Sequence, residues 1–488
     1  MIRFQVLFSI LVTLCVNGLL VGQSTQALPD DVLRLKRVEA PLVDAAKNGQ
    51  WNRVDDLATE ANVDQTAGDH STALHWAVYH DNQNIAKRLI ELGADVSAEN
   101  IYESRPIVLA CRNGSAEILK LLLEGGADPK RKSASAVPSL LVAARTGDAD
   151  CIDLLVKSGV DVNQTRVRDQ TALMWAASAG NLDAVKKLVE LGADLKPRTP
   201  SGFDAIAFAV REGRTPIVEY LLDQNLDVNQ PMDVKKKPKR GPAKGMTLLT
   251  LAVENGHFEL ALTLLKRDAD PNHKGPGYSP LHAITGVRKP MRGDGNPGPI
   301  GSGSVSSLDL VRALVEHGVE ADVRHGKRNV RKGGLNLTDA TALLLAAKNG
   351  DLPMVKLLHE LGADVSASNA DGTTPLLAAA GVGVIGSGDE TPGTEDEAIE
   401  TIEWLLEQGA DINVVDSKGN TVMHGAALKS WYNLVPILAQ RGADPKIWDS
   451  QNVLKRTPME IAIGHRPGNF RPCPDTQAAI QQVLTESE

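Results

Sequence analysis

The chain has 488 residues, with 52 Lys and Arg against 61 Asp and Glu and a formal net charge of -9. That length is about three domains' worth at ~150 residues each, so the core must either divide or repeat, and the acidic balance disfavours bulk nucleic-acid binding. Aromatics are 3% within a hydrophobic total of 42%, so Ala, Leu, Val and Ile fill the core, a composition that suits thin stacked helices and excludes wholesale disorder.

Residues 1–27 read as an export signal. Arg3 supplies the positive start, Val6 to Val21 is the apolar run, and Thr25, Gln26 and Ala27 flank a cleavage point. The alternative is an uncleaved anchor, but the run falls short of the ~20 residues a bilayer needs and contains Asn17 and Gly18. Cleavage leaves a mature chain from Leu28 with a charge of -10, residues 28–38 as a lead-in, no later membrane span, and an exported location: periplasmic or cell-envelope in a bacterium, secreted otherwise. Cys15 lies inside the run, which argues against lipid modification. The three remaining cysteines are too few for a disulfide framework. Cys111 and Cys151 read as small core hydrophobes, with a bridge between them left open, and Cys473 has no evident mate.

From residue 39 the chain repeats itself. An ending typified by LGAD at Asp95, with substitutions before the Asp, returns every thirty-three residues at Asp128, Asp161, Asp194 and Asp227, then at longer intervals at Asp270, Asp322, Asp364 and Asp411, and again at Asp444. A degenerate first copy ends near Asp64. Each unit opens with a turn and a short helix, as in Ser71 to Val78, Gln170 to Ala177, Ser279 to Ile284 and Asn420 to Ala427, where Thr or Ser caps the first free N–H groups and paired Ala residues admit a close neighbour. A glycine such as Gly114, Gly147 or Gly180 breaks it. A second helix with apolar spacing, for example Val185, Leu188 and Val189, stops at the glycine of the ending.

The T-P-L-H-x-A-A opening, the mid-unit Gly, the V-x-x-L-L stretch and the G-A-D-V-N ending resemble the ankyrin repeat over Glu39 to Leu484. The resemblance implies an all-α repeat solenoid: stacked helix-turn-helix units joined by β-hairpin-like loops, eleven recognisable and a weaker twelfth, about 120 Å along the stack if each layer is one helix wide. Residues 39–230 make repeats 1–6 and 246–446 repeats 7–11. Residues 447–488 make a degenerate capping repeat and tail, the cap running from Thr457, Pro458 and Met459 to Val483.

Four insertions interrupt the period. Residues 231–245 and 323–335 enter at the hairpin edge; 286–306 and 381–396 enter between the two helices and, being rich in Gly, Pro and Ser, are expected to be mobile. The first three together carry +12, leaving the rest of the mature chain at -22. Lys235, Lys236, Lys237, Lys239 and Arg240 match a nuclear-localisation run, an accidental match in an exported chain; the plain reading of such loops is charged, solvated surface.

The resemblance also implies that partners bind the concave face of the first helices and the hairpin tips. The position after the Ala pair holds Lys47, Tyr79, Arg112, Arg145, Ser178, Arg211, Glu254, Lys348 and Leu428, five of them basic. Candidate partner-binding residues are therefore Lys47, Tyr79, Arg112, Arg145, Arg211 and Lys348, with Lys236, Lys237, Arg240, Arg328 and Arg331 on the hairpin insertions. They suit a protein with an acidic surface, or less well an anionic polymer. Tyr79 is the candidate anchor, whereas Trp76 and Trp175 read as core.

Chemistry finds little footing. The G-x-G-x-x-G strings at Gly381, Gly383, Gly386 and at Gly293, Gly295, Gly298 lack a preceding strand. His75, His282 and His424 sit where the family's histidine stabilises the turn, and His70, His75 and His80 do not share a helical face. No catalytic, cofactor-binding or metal residue is expected. Asn113, Asn163 and Asn336 open glycosylation sequons that matter in a eukaryotic host. The reading is a monomeric, non-catalytic interaction scaffold; the alternatives are a structural spacer, and an enzyme or toxin with its chemistry in an insertion.

Overall fold

Twenty-five short α-helices and one 3-10 turn carry the described chain, and only two isolated bridges, Thr66 with Thr72 and Arg166 with Gln170, stand in for strands. The computed structural model describes residues 40–131, 137–235, 243–290, 299–326, 334–384, 392–465 and 472–487. The export signal and lead-in, together with Lys236, Lys237, Arg240, Arg328 and Arg331, lie outside the described residues.

The chain divides into two compact units, Met1–Pro106 and Ile107–Glu488. In the first, helices Pro41–Lys47 and Trp51–Leu57 form one pair and Ala73–Tyr79 and Gln83–Glu91 a second, packed first helix on first helix and second on second. The second unit continues the same alternation. Its first helices Ser139–Thr146, Ala172–Ala179, Ala205–Arg211, Leu248–Glu254, Pro280–Arg288, Ala342–Lys348, Pro375–Ala379, Val422–Lys429 and Pro458–Ile463 each pack on the next. The fold is the all-α repeat solenoid expected.

Local chemistry explains why each helix starts and stops. Thr171, Thr247, Thr341 and Thr374 each accept the backbone N–H three residues on, at 3.2–3.4 Å, and Asp204 does the same for Ala207 at 3.0 Å; these N–H groups have no partner inside the helix. Ala143, Ala144, Ala176, Ala177, Ala346 and Ala347 are wholly buried between neighbouring first helices, where a larger side chain would hold the backbones apart. At Gly147 the backbone enters the left-handed region, φ 97°, and a Cβ would lie 2.6 Å from Asn181. Only glycine fits there without strain.

The three histidines of the opening motif do what the resemblance implies. Thr72 N–H donates to His75 Nδ1 at 3.1 Å, so Nε2 carries the proton and donates to the Ser104 carbonyl at 3.0 Å. His282 and His424 repeat this, linking Ser279 to the Ala340 carbonyl and Thr421 to the Arg456 carbonyl, each at 3.1 Å from Nε2. Each imidazole thus ties its own turn to the next.

The ending motif is a second tie. Asp161 accepts Asn163 N–H at 2.9 Å, turning the loop on itself; Asn163 then accepts Asp194 N–H at 2.8 Å and donates to the Gly192 carbonyl. Asn229 bridges to Asp268 and Asp270 and Asn413 to Gly442 and Asp444 in the same way.

The insertions differ from expectation in two respects. Helix Pro280–Arg288 runs on past residue 286, because Arg288 reaches Asp351 with two bonds of 2.6 and 2.8 Å and Ser307 with a third. The end of that insertion, expected to be mobile, is held: Ser302 bonds His257 Nδ1 at 2.8 Å and Ser304 N–H donates to Glu259 at 3.2 Å. One serine hydroxyl and the backbone N–H groups of Ser302 and Ser304 seat the segment.

Cys111 and Cys151 are fully buried and unbridged. Burial pushes the Cys111 thiol up to about 12 and raises Cys151 further, as expected of inert core thiols.

Candidate functional site

The last turn of each first helix brings its side chain to the end of the helix pair, beside the opening of the next. In the first unit this gathers aromatic groups. Trp76 and Tyr79 meet edge to face at 5.6 Å, Tyr79 and His80 at 5.2 Å, and Trp51 and His80 at 5.5 Å. Lys47 Nζ stands 5.5 Å above the Trp76 ring, and Tyr79 is 53% exposed. Trp76, read as core, is only half-buried, and its Nε1 has no hydrogen-bond partner. The cation covers one face of the ring in place of protein.

The second unit repeats the device. Arg145 lies 5.8 Å over Trp175, which is also half-buried rather than core. The two tryptophans misled the sequence reading because hydrophobic spacing puts them on the apolar stripe, while only the placement of the preceding repeat shows that Lys47 and Arg145 cover them.

The basic column is less uniform than its sequence. Arg112 and Arg145 are exposed, and among the described residues neither has a carboxylate within ion-pair distance. Arg211 is half-buried, paired with Glu212 at 2.8 Å and stacked 5.0–5.2 Å from Phe203 and Phe208. Its stem is packed and its charge is answered by the adjacent carboxylate, so it is a weaker candidate cation than Arg112 and Arg145. Lys348 is half-buried and dehydration lowers its ammonium. Lys429, one position beyond Leu428 and overlooked in the column, is buried over Trp431 at 4.5 Å and pushed down to about 8 by burial and by Lys348. Arg324, counted among the loop cations, donates to the Asp339 and Ser368 carbonyls at 3.0 and 2.6 Å.

Cofactor chemistry has no support in the described residues. A Cβ at Gly381 would meet Lys429 and the Gly425 backbone, and one at Gly383 the Leu335 backbone at 2.7 Å; these glycines admit a neighbouring chain rather than a phosphate. Gly386, Gly293, Gly295 and Gly298 lie outside the described residues. His75, His282 and His424 have both ring nitrogens committed, and no group of three or more His, Cys, Asp or Glu is placed to hold a metal among the described residues. Among those residues no helix is long and apolar enough to cross a membrane.

Among the described residues, two cavities of the second unit stand out. One of about 400 Å³ lies where residues 299–307 approach Gly256 and Arg288. The other, about 220 Å³, lies between the hairpin tips around Asn336, Asn420 and Asn452 and the first-helix residue Leu428.

Helix pairs stacked one on the next define an all-α repeat protein. A family model described as ankyrin repeats in three copies matches residues 42–133, 140–232 and 303–385, and a single-repeat model matches 244–276 and 371–417; the chain belongs to the ankyrin repeat family. Ankyrin repeats are in general protein–protein interaction modules, and domains of this kind are typically non-enzymatic. The chain is 32% identical over 126 residues to Ankyrin repeat and SOCS box protein 16 of Mus musculus, covering 26% of each chain. It is 26% identical over 220 residues to Alpha-latroinsectotoxin-Lt1a of Latrodectus tredecimguttatus, covering 44% of this chain and 12% of the relative. Among solved structures, the human ASB11 ankyrin repeat domain is 27% identical, covering 47% of this chain and 99% of that one, with a TM-score of 0.41. The chain thus spans about a quarter or less of these curated relatives' length.

Proposed function

We propose that the protein is a non-catalytic scaffold that seats an acidic protein partner on its first-helix face and hairpin tips. The observation that carries this is the pair of exposed, unpaired guanidinium groups of Arg112 and Arg145, the second resting on Trp175. Arg on an aromatic platform is held in place without being neutralised, and Trp, Tyr and Arg dominate interface energetics. Lys47 and Tyr79 offer the same chemistry in the first unit. Arg211 contributes packing in this scheme, because Glu212 already answers its charge.

The proposal extends to export through residues 1–27, on the strength of the apolar run Val6 to Val21. Fractionating cells that express the native chain, beside a chain with two Arg residues inserted into that run, tests it: equal distribution of the two removes the export reading.

The binding test is affinity capture from the native compartment with the wild-type chain, with Arg112→Glu plus Arg145→Glu, and with Arg211→Glu alone. A stoichiometric partner lost with the double reversal and retained with Arg211→Glu is the expected result. A partner held equally by all three, or none captured by the wild type, defeats the reading and favours a spacer.

A further inference from the structure

The cavity of about 220 Å³ at the end of the repeat array has a feature its size does not require. Arg456 lines it, and Arg456 Nη1 is enclosed yet has no hydrogen-bond partner. Buried donors in folded proteins are nearly always satisfied, and a charged one left bare is the costliest exception. The Asp416 carboxylate, which also lines the cavity, is already taken by the Lys418 and Asn420 backbone N–H groups at 2.9 and 2.8 Å and by the Asn420 amide. Asn336, Thr373, Lys418, Asn420 and Asn452 also line the cavity, and the remaining wall is aliphatic. Leu428 comes from the first helix, and Val453 and Leu454, 64% and 46% exposed, come from the hairpin tip.

This tip is built rather than slack. Val453 N–H donates to the Lys418 carbonyl at 2.8 Å, Leu454 N–H to Asn452 Oδ1 at 2.9 Å, Lys455 N–H to the Asn452 carbonyl at 2.8 Å, and Asn452 N–H to the Arg456 carbonyl at 3.1 Å. A terminal repeat ordinarily turns a polar face to water; this one holds two adjacent aliphatic side chains out on an ordered loop.

We propose that the cavity is a recognition pocket for an extended segment of a partner protein carrying an aliphatic residue next to an acidic one. The aliphatic side chain fills the space between Leu428, Val453 and Leu454, and the neighbouring carboxylate accepts from Arg456. The volume fits a side chain better than a free small ligand, whose sites run from ~300 Å³ upward. A carboxylate answers the unsatisfied Nη1 of this half-buried guanidinium with a charge-assisted bond. The inference rests on the scaffold reading and gives it a chemical preference.

The intact chain is titrated with the fluorescent, amidated hexapeptide Gly-Gly-Leu-Glu-Gly-Gly, its Leu-Gln and Ala-Glu counterparts, and a fluorescent pentapeptide Gly-Gly-Gly-Gly-Leu ending in a free carboxylate. The expected result is that Leu-Glu binds about tenfold or more tighter than Leu-Gln, the usual worth of one charged hydrogen bond, and tighter than Ala-Glu. Arg456→Gln erases the preference for Glu, whereas Arg456→Lys, which keeps the charge if the glutamine variant folds poorly, retains part of it. Equal binding of Leu-Glu and Leu-Gln, a Glu preference that survives Arg456→Gln, or tighter binding of the free carboxylate than of Leu-Glu overturns the proposal. Partner capture that depends on Arg112 and Arg145 with no Leu-Glu preference sinks this pocket alone; a Leu-Glu preference without such capture sinks the scaffold reading of the basic face instead.

Discussion

Lowering the pH from 7 to 5 should loosen the repeat that begins at Ser279, through one side chain. His282 is neutral in the fold: Nδ1 accepts from Ser279 N–H and Nε2–H donates to the Ala340 carbonyl at 3.1 Å. Burial, assisted by the nearby His325, pushes its pKa down to about 4 from 6.5. Because the folded value lies below the unfolded one, the stabilisation is complete above pH 6.5 and is lost as pH falls toward 4. Two and a half units at about 1.4 kcal/mol each come to about 3.5 kcal/mol in the limit, of which about 2 kcal/mol has gone by pH 5. In a repeat array that loss is felt locally before it is felt globally. The assay is therefore hydrogen exchange followed on the peptide spanning Pro280–Arg288, corrected for intrinsic rates, in the native chain and in His282→Gln, where the amide keeps a capping-box acceptor but does not titrate. The opening free energy of the native chain should fall by about 2 kcal/mol and that of the variant should stay level. Parallel curves for the two chains would refute the argument. His75 and His424, lowered by burial in the same direction, predict a loss of the same sign over Ala73–Tyr79 and Val422–Lys429 as the pH falls.

Three further expectations follow from single contacts. Gly147→Ala places a Cβ at φ 97° against Asn181 and should destabilise the chain by about 1–3 kcal/mol, read as a lower thermal midpoint; an unchanged midpoint counts against the strain. Arg288→Met leaves Asp351, 2% exposed, without its bidentate partner and should cost about 3–5 kcal/mol in chemical denaturation, with Arg288→Met plus Asp351→Asn recovering part of it; a double variant no better than the single one contradicts this. Mass-mapped thiol labelling of the native protein at pH 8 should modify half-exposed Cys473 and spare Cys111 and Cys151; early labelling of Cys111 would mean that its burial is transient.

The repeat, the caps and the structural role of the three histidines were legible because each depends on residues a fixed few positions apart. His75 and Thr72 are three apart, and the ending motif turns on Asp161 and Asn163, two apart; such contacts travel with the period. What escaped the sequence depends on distances the period does not set. Arg288 meets Asp351 sixty-three residues away and Ser302 meets His257 forty-five away, both because an insertion changes what lies opposite. Arg211 looked like one more member of the basic column, and only its side-chain direction, across two phenyl rings to Glu212, removes it. Arg456 gave no signal at all. A lone arginine after a loop is ordinary, and its missing partner is visible only once the neighbours are placed around it.

The asparagine ties between endings are unevenly distributed, and this gives the array a mechanical grain. Asn163, Asn229 and Asn413 each clamp two backbone groups of the following unit, whereas the equivalent positions after Asp128, Asp194 and Asp364 hold Lys130, Lys196 and Ser366, which make no such clamp among the described residues. The second unit is therefore a spring of unequal coils, stiff across the clamped joints and compliant across the others. Where neighbouring units share only nearest-neighbour contacts, strain collects at the softer joints. A load applied along the stack, or a partner that asks it to flex, would be absorbed beyond Lys130, Lys196 and Ser366 while the clamped pairs move as rigid blocks.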